Sequence, residues 1–330
     1  MSRTLRFGPL LGLICLGALG VRIAYALHQQ GFPVVGDALT FHGVGQELAD
    51  GHGFREVLPP FGPTAEHPPL FELFLAVVDK LGANSYEAHR LILGAVGTVN
   101  VALIGLVGRA LAGWRTGLVA AAIATGYPLL WTADGALMSE TLYGTFILCS
   151  LLAAVWLARR PGPRPALLLG LLIGLAALTR GEGLALVVLL GLPLCLRGSP
   201  AWGGRARLFG ALVAATVLVL LPWTIRNLDT FDSPVLISTN SNGLFIGANC
   251  PATYHGPLIG SWRFQCYTPR RPGEDEAQYF ARERGIGLRY ARDHAGRLPV
   301  VLAARLGRLL DVYEFGQSLF INGAEGRDAR

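Results

Sequence analysis

Residues Leu91–Gly108 read LILGAVGTVNVALIGLVG, 18 residues without a charge, closed at once by Arg109. As a helix rising about 1.5 Å per residue, this run covers most of the hydrocarbon thickness of a bilayer. Six other apolar runs resemble it: Gly8–His28, Gly117–Trp131, Thr141–Ala158, Pro165–Thr179, Gly183–Leu196 and Leu208–Trp223, most of them parted by short breaks that carry arginine. A soluble core does not need that pattern, whereas spanning helices do. Across 330 residues, 52% are hydrophobic, 15% are charged and 43 are glycine, which sets the chain apart from soluble globular domains. The expectation is an all-α polytopic membrane protein with about seven transmembrane helices, the first retained as an anchor behind Arg3 and Arg6.

The distribution of charge orients these spans. The breaks Met1–Phe7, Arg109–Thr116, Arg159–Arg164 and Arg197–Arg207 hold ten arginines and no acid. The segment Gln29–Ala88 holds eight acids against Arg55 and Lys80. The positive-inside rule therefore places the breaks in the cytoplasm and this large first loop outside. That assignment requires Pro68–Gly82, PPLFELFLAVVDKLG, not to cross, as its 15 residues and its internal Glu72 and Asp79 suggest. Residues 1–225 then form a transmembrane module with an outer loop at 29–88, and residues 226–330 an exported segment. The net charge of +6 is dispersed beside apolar runs instead of gathered in a patch, so lipid phosphate is the expected partner and nucleic acid is not.

Cys15, Cys149 and Cys195 fall within spans, where a thiol packs as a small apolar group. Cys250 and Cys266 fall in the exported segment, where an oxidising compartment favours a disulfide that would contribute about 3 kcal/mol.

The outer loop opens with GDALTFHGVGQELADGHGF, Gly36–Phe54. Leu39, Val44 and Leu48 approximate one helical face, and Gly51 and Gly53 end the helix, which suits a segment lying flat on the membrane. Asp37 stands at its N-terminal end, either as the cap or as a carboxylate that meets a lipid-borne substrate.

Here the chain resembles the GT-C glycosyltransferases, the polyprenyl-phosphate-sugar enzymes that include protein O-mannosyltransferases and the lipid A aminoarabinose transferase. The resemblance rests on Asp37, the helix running into Asp50-Gly51-His52-Gly53-Phe54, and Glu66-His67-Pro68-Pro69-Leu70. It continues through Arg90, Ser139-Glu140-Thr141-Leu142, Leu178-Thr179-Arg180-Gly181-Glu182-Gly183 and Pro222-Trp223-Thr224-Ile225-Arg226-Asn227. Two features depart from the family. Ala38 and Phe41 stand where many members have a second acid and a tyrosine, and the sequence stops at Arg330, where members usually continue into further spans.

The resemblance implies transfer, with inversion, of a sugar from a polyprenyl-phosphate donor to a glycan, lipid or protein acceptor outside the plasma membrane. Attack by an acceptor hydroxyl needs a base, and the departing phosphate needs cationic donors. Asp37 suits the first role, with Glu140 as the next candidate; Glu140 and Asp134 share the second outer loop, where one of them is expected to hold the acceptor or assist a metal. Arg180, Arg226 and Arg90 suit the second, because guanidinium offers bidentate geometry to phosphate. Glu66 and His67 are the candidate ligands for a divalent metal ion, as an acid at the matching place is in the aminoarabinose transferase. Neither a Walker loop nor a Rossmann fingerprint is present, which agrees with a lipid-linked donor in place of a nucleotide. A transporter or lipid flippase is the alternative, although most acids sit in loops and not at the membrane midplane. An inactive scaffold is the third reading.

Overall fold

The computed structural model describes residues 7–29, 34–199 and 201–317. Arg3 and Arg6, the flank of the first run, lie outside the described residues, as do positions 30–33 of the outer loop and the end of the tail from 318. The described residues are mostly helical and form no strand. Its helices are α1 (Phe7–His28), α2 (Asp37–Ala49), α3 (Leu70–Lys80), α4 (Tyr86–Ala112), α5 (Trp114–Gly126), α6 (Pro128–Gly135) and α7 (Glu140–Arg159). They continue as α8 (Pro163–Thr179), α9 (Leu192–Arg197), α10 (Trp202–Thr230), α11 (Asn240–Ala248), α12 (Pro251–Tyr254), α13 (Glu276–Asp293) and α14 (Leu298–Leu309). Two compact units emerge. One is drawn from the Met1–Gly53 and Pro68–Pro222 segments, the other from Phe54–His67 and Trp223–Ala324.

Among the described residues, α1, α4, α7 and α10 are long and apolar enough to cross a bilayer, and the bent pair α5 and α6 makes a fifth candidate. The run expected from Gly117 to Trp131 is thus not one straight rod. Pro128 starts α6 and cannot donate a backbone hydrogen bond into the preceding turn, and the two helices meet at 56°. The run Gly183–Leu196 is likewise broken, into a 3-10 turn (Gly181–Leu184), a π turn (Val187–Gly191) and α9, which has Pro193 in its first turn. Helix α8 is apolar but has only 17 residues. Ser85 lets α4 begin five residues before the apolar run, because its side chain accepts from Ala88 N at 3.1 Å.

In the first unit, α4 and α5 pack without side chains between them: a Cβ added to Gly117 would stand 2.4 Å from the Gly105 carbonyl oxygen. Such close backbone approach suits packing in lipid, where dispersion and not water exclusion holds helices together. At one end of the unit, Ala38 and Phe41 of α2 join Phe71 and Leu75 of α3, Leu93 of α4, Ala136, Leu137 and Met138, and Leu142 of α7 in one buried cluster. This corrects the flat-helix expectation for α2. The buried face carries Ala38, Phe41, His42, Val44 and Gly45, while Leu39 and Leu48 are only half buried. Protein, not lipid, covers it. With 11 residues, α3 is about 16 Å long, too short to cross a bilayer.

In the second unit, the buried Glu276 at the start of α13 fastens the Phe54–His67 segment. Its carboxylate accepts from Thr64 Oγ1 at 2.6 Å, Ala65 N at 2.9 Å and Thr239 Oγ1 at 2.7 Å. Cys250 and Cys266 are bonded, with Cα atoms 5.8 Å apart, and pack with Ile246.

Candidate functional site

The charged groups of the first unit gather where α8 ends. Arg180 closes that helix in an extended conformation, and the 3-10 turn after it folds Glu182 back beneath the guanidinium. Arg180 Nε lies 2.7 Å from Glu182 Oε1, and its Nη1 lies 3.1 Å from Glu140 Oε1 and 3.4 Å from Ser139 Oγ. Among the described residues, nothing accepts from Nη2. Glu140 is the first residue of α7, so this pair ties the start of one helix to the end of the next. Burial works against the Arg180 charge, but the fields of Glu140, Glu182 and Asp37 outweigh it and raise its pKa above the ordinary arginine value. Burial also pushes Glu182 up, yet its hydrogen bond from Arg180 leaves its pKa lower than usual. The guanidinium is therefore a permanent cation, one-third exposed, in a shallow acidic setting.

Asp37 is the exposed first residue of α2 and lies within electrostatic reach of Arg180. The cap expectation for Asp37 is corrected, because Gly36 occupies the N-cap position and makes no side-chain bond. An acid in the first turn still gains from the helix dipole, by about 0.3–1 kcal/mol. The structure thus brings together Asp37, Glu140 and Arg180, which lie far apart in sequence.

Asp134 does not join them. It was expected in a solvated outer loop, but it lies buried in α6, where its Oδ2 accepts from Arg22 Nε at 2.6 Å and its Oδ1 from Thr141 Oγ1 at 2.8 Å. Gly97 of α4 makes room for it: a Cβ there would be 2.0 Å from Oδ2. Arg22, a charge within the first apolar run, is likewise buried in this pair. A buried carboxylate with both oxygens engaged is a structural pin, not a base open to substrate. Arg90 is also interior, donating from Nη1 to the Gln29 carbonyl at 2.8 Å, and its buried Nε has no hydrogen-bond partner among the described residues.

Arg226, Glu66 and His67 belong to the second unit. Arg226 donates to the carbonyls of Thr64 at 2.9 Å and Phe54 at 3.3 Å, and its guanidinium lies over the rings of Phe54, Trp223 and Phe231. These contacts hold the Phe54–His67 segment and occupy the nitrogens a phosphate would need. Glu66 and His67 do not fit a metal site, since among the described residues no three acids, histidines or cysteines come together as ligands. The contacts that the motifs did not signal are Arg22 with Asp134, and a chain from Asp79 through His89 to His42. The only hint in the sequence was the presence of charged or imidazole groups inside or beside apolar runs.

Residues 66–225 match the model of the dolichyl-phosphate-mannose-protein mannosyltransferase family. This match supports a GT-C glycosyltransferase, and with the apolar helices it supports a membrane location. No curated protein and no solved structure matches the chain.

Proposed function

We propose that the protein transfers a sugar from a polyprenyl phosphate to an acceptor on the outer side of the plasma membrane, with inversion at the anomeric carbon. One observation carries the reading: Arg180, held charged by Glu140 and Glu182, stands within the field of Asp37 on an exposed edge of the spanning unit. In this reading Asp37 takes the proton from the acceptor hydroxyl. The freed oxygen forms its bond to the anomeric carbon as the bond from that carbon to phosphate breaks, and the electron pair leaves on the polyprenyl phosphate. Arg180 meets the new charge through Nη2, while Glu140 and Glu182 fix the guanidinium plane. The lipid-facing exterior of the unit suits a donor that arrives through the bilayer. The acceptor is a glycan, lipid or protein hydroxyl, and residues 226–330 form the exported segment.

The test is transfer from a matched lipid-linked donor by purified, reconstituted protein. Because Asp37 is not the capping residue, Asp37→Asn removes a charge and a base without removing a cap. Turnover should fall by roughly 10²-fold or more, the scale of general-base catalysis. Arg180→Lys should also impair transfer, since a point charge cannot hold Glu140, Glu182 and a phosphate together. Wild-type turnover by Asp37→Asn would overturn the assignment and move the role to Glu140.

A further inference from the structure

Three buried ionisable groups of the first unit take no part in the chemistry above. His89 Nε2 lies 2.7 Å from Asp79 Oδ1, and His89 Nδ1 lies 3.2 Å from His42 Nδ1. All three side chains are buried, and Asp79 Oδ2 has no hydrogen-bond partner among the described residues. The residues come from three helices: His42 from α2, Asp79 from α3 and His89 from α4.

Elementary hydrogen-bond rules constrain the chain. A carboxylate only accepts, so His89 must carry its proton on Nε2. Between the two Nδ1 atoms one ring donates and the other accepts, so the link needs a hydrogen-bonding group at position 42. Two lone pairs, or two protons, at 3.2 Å would repel. Burial, reinforced by the nearby His89, lowers the His42 pKa to about 4 against the opposing pull of Asp79 and Glu87, so the ring is neutral at pH 7. The same ring lies 3.9 Å, centroid to centroid, from Tyr86 of α4. The groups facing His42 are therefore Asp79 from α3 and Tyr86, Glu87 and His89 from α4.

The geometry points to a positioning chain: Asp79, through His89, fixes the place of His42, and His42 thereby sets the register of α2 and the location of Asp37, five residues earlier on the same helix. The assignment of catalysis to Asp37 rests on the function proposed above, but the positioning of α2 does not. The three groups are not gathered as metal ligands. Asp79 and His42 sit on opposite nitrogens of His89, so the arrangement is a line and not a cup.

A plain core-filling role and a hydrogen-bonded chain predict opposite rankings at position 42. Asparagine places an amide, donor and acceptor both, close to where His42 has Nδ1, whereas leucine fills the buried space with neither. A core-filling site favours leucine. The chain favours asparagine, because leucine leaves His89 Nδ1 buried and unpaired. The experiment is amide hydrogen exchange over residues 37–49, with transfer measured alongside, on the full-length reconstituted protein carrying His42→Asn, His42→Leu or Asp79→Asn. Exchange in α2 should accelerate about tenfold in His42→Leu and Asp79→Asn and remain near wild type in His42→Asn. Turnover should fall in the same two variants, with the donor KM changed less than threefold because Arg180 is untouched. Protection equal in His42→Leu and His42→Asn, or greater in leucine, overturns the proposal. If leucine does not fold, Asp79→Asn carries the same test, since its carboxamide keeps the size and loses the charge that sets the tautomer. Exchange that follows the expected order while turnover stays constant in all variants would leave the chain standing and remove Asp37 from catalysis.

Discussion

Gly97→Ala is the smallest change that should break the first unit from inside. An added Cβ would lie 2.0 Å from Asp134 Oδ2, 2.3 Å from Cγ and 2.6 Å from Oδ1, so rotating the carboxylate does not clear it. Ordinary contact needs about 3.4 Å or more, and the whole carboxylate must retreat by more than about 1 Å. At that displacement the 2.6 Å bond from Arg22 and the 2.8 Å bond from Thr141 are both lost. An unpaired buried charge costs about 3–5 kcal/mol. Alanine returns up to about 1 kcal/mol through its helix propensity, which leaves a net loss of about 2–4 kcal/mol.

Equilibrium unfolding in mixed detergent and SDS micelles reads this directly, with Gly20→Ala on α1 as the control because nothing lies within 4 Å of its added Cβ. The mechanism also fixes a coupling. In an Asp134→Ala background there is no carboxylate to displace, so Gly97→Ala should cost nothing there and gain up to about 1 kcal/mol. A Gly97→Ala protein within about 0.5 kcal/mol of wild type, or strictly additive effects of the two changes, would refute the argument.

Other outcomes follow from the same contacts. The His42 pKa falls from 6.5 in the unfolded chain to about 4 in the fold, so between these values the unfolded state binds the extra proton. Stability should be full above pH 6.5 and decline by about 3 kcal/mol as pH drops to 4, and His42→Asn should flatten that slope. Glu274 is held at about 2 mainly by its bonds from Arg282, so its contribution should be lost in a lower window, from pH 4.5 down to about 2. Opening the Cys250–Cys266 bond by Cys266→Ser should lower the unfolding free energy of the second unit by about 3 kcal/mol, and non-reducing peptide mapping should recover the two cysteines as one linked pair. Cysteines placed at Gly62 and Asn84 should both react with an impermeant reagent from outside; labelling of only one would place α3 across the bilayer.

How much of this was legible in the sequence depends on whether a feature is local. The apolar runs are local, and helices occupy every one of them. Their interruptions were missed because Pro128 and Pro193 sit inside stretches whose average hydropathy hides a single absent donor. The face of α2 was misread for a different reason. Leu39, Val44 and Leu48 are its aliphatic residues, but the helix buries Phe41 and His42 because Phe71, Leu75 and His89, 30 or more residues onward, supply their partners. A pattern within 13 residues cannot show what will cover it. The family motifs selected Asp37, Glu140 and Arg180, which the fold does place together. The same motifs also selected Arg226 and Arg90, whose donors serve carbonyl groups instead.

Physical cost gives a more discriminating reading than motif position. A charge set among apolar helices is expensive unless it is paired, so each such charge in the sequence implies a second one somewhere else. Arg22, the plainest misfit of the first run, finds Asp134, 112 residues away. Asp79, one of the two acids inside PPLFELFLAVVDKLG, finds His89. Arg180 finds Glu140, 40 positions before it in the chain. In the first two pairs both members are buried, and removing one strands the other. In the third both members are about one-third exposed, so water can stabilise either alone and a phosphate can compete for the guanidinium. That difference in exposure, more than residue type, separates the cluster that suits chemistry from the pairs that hold the helices in place.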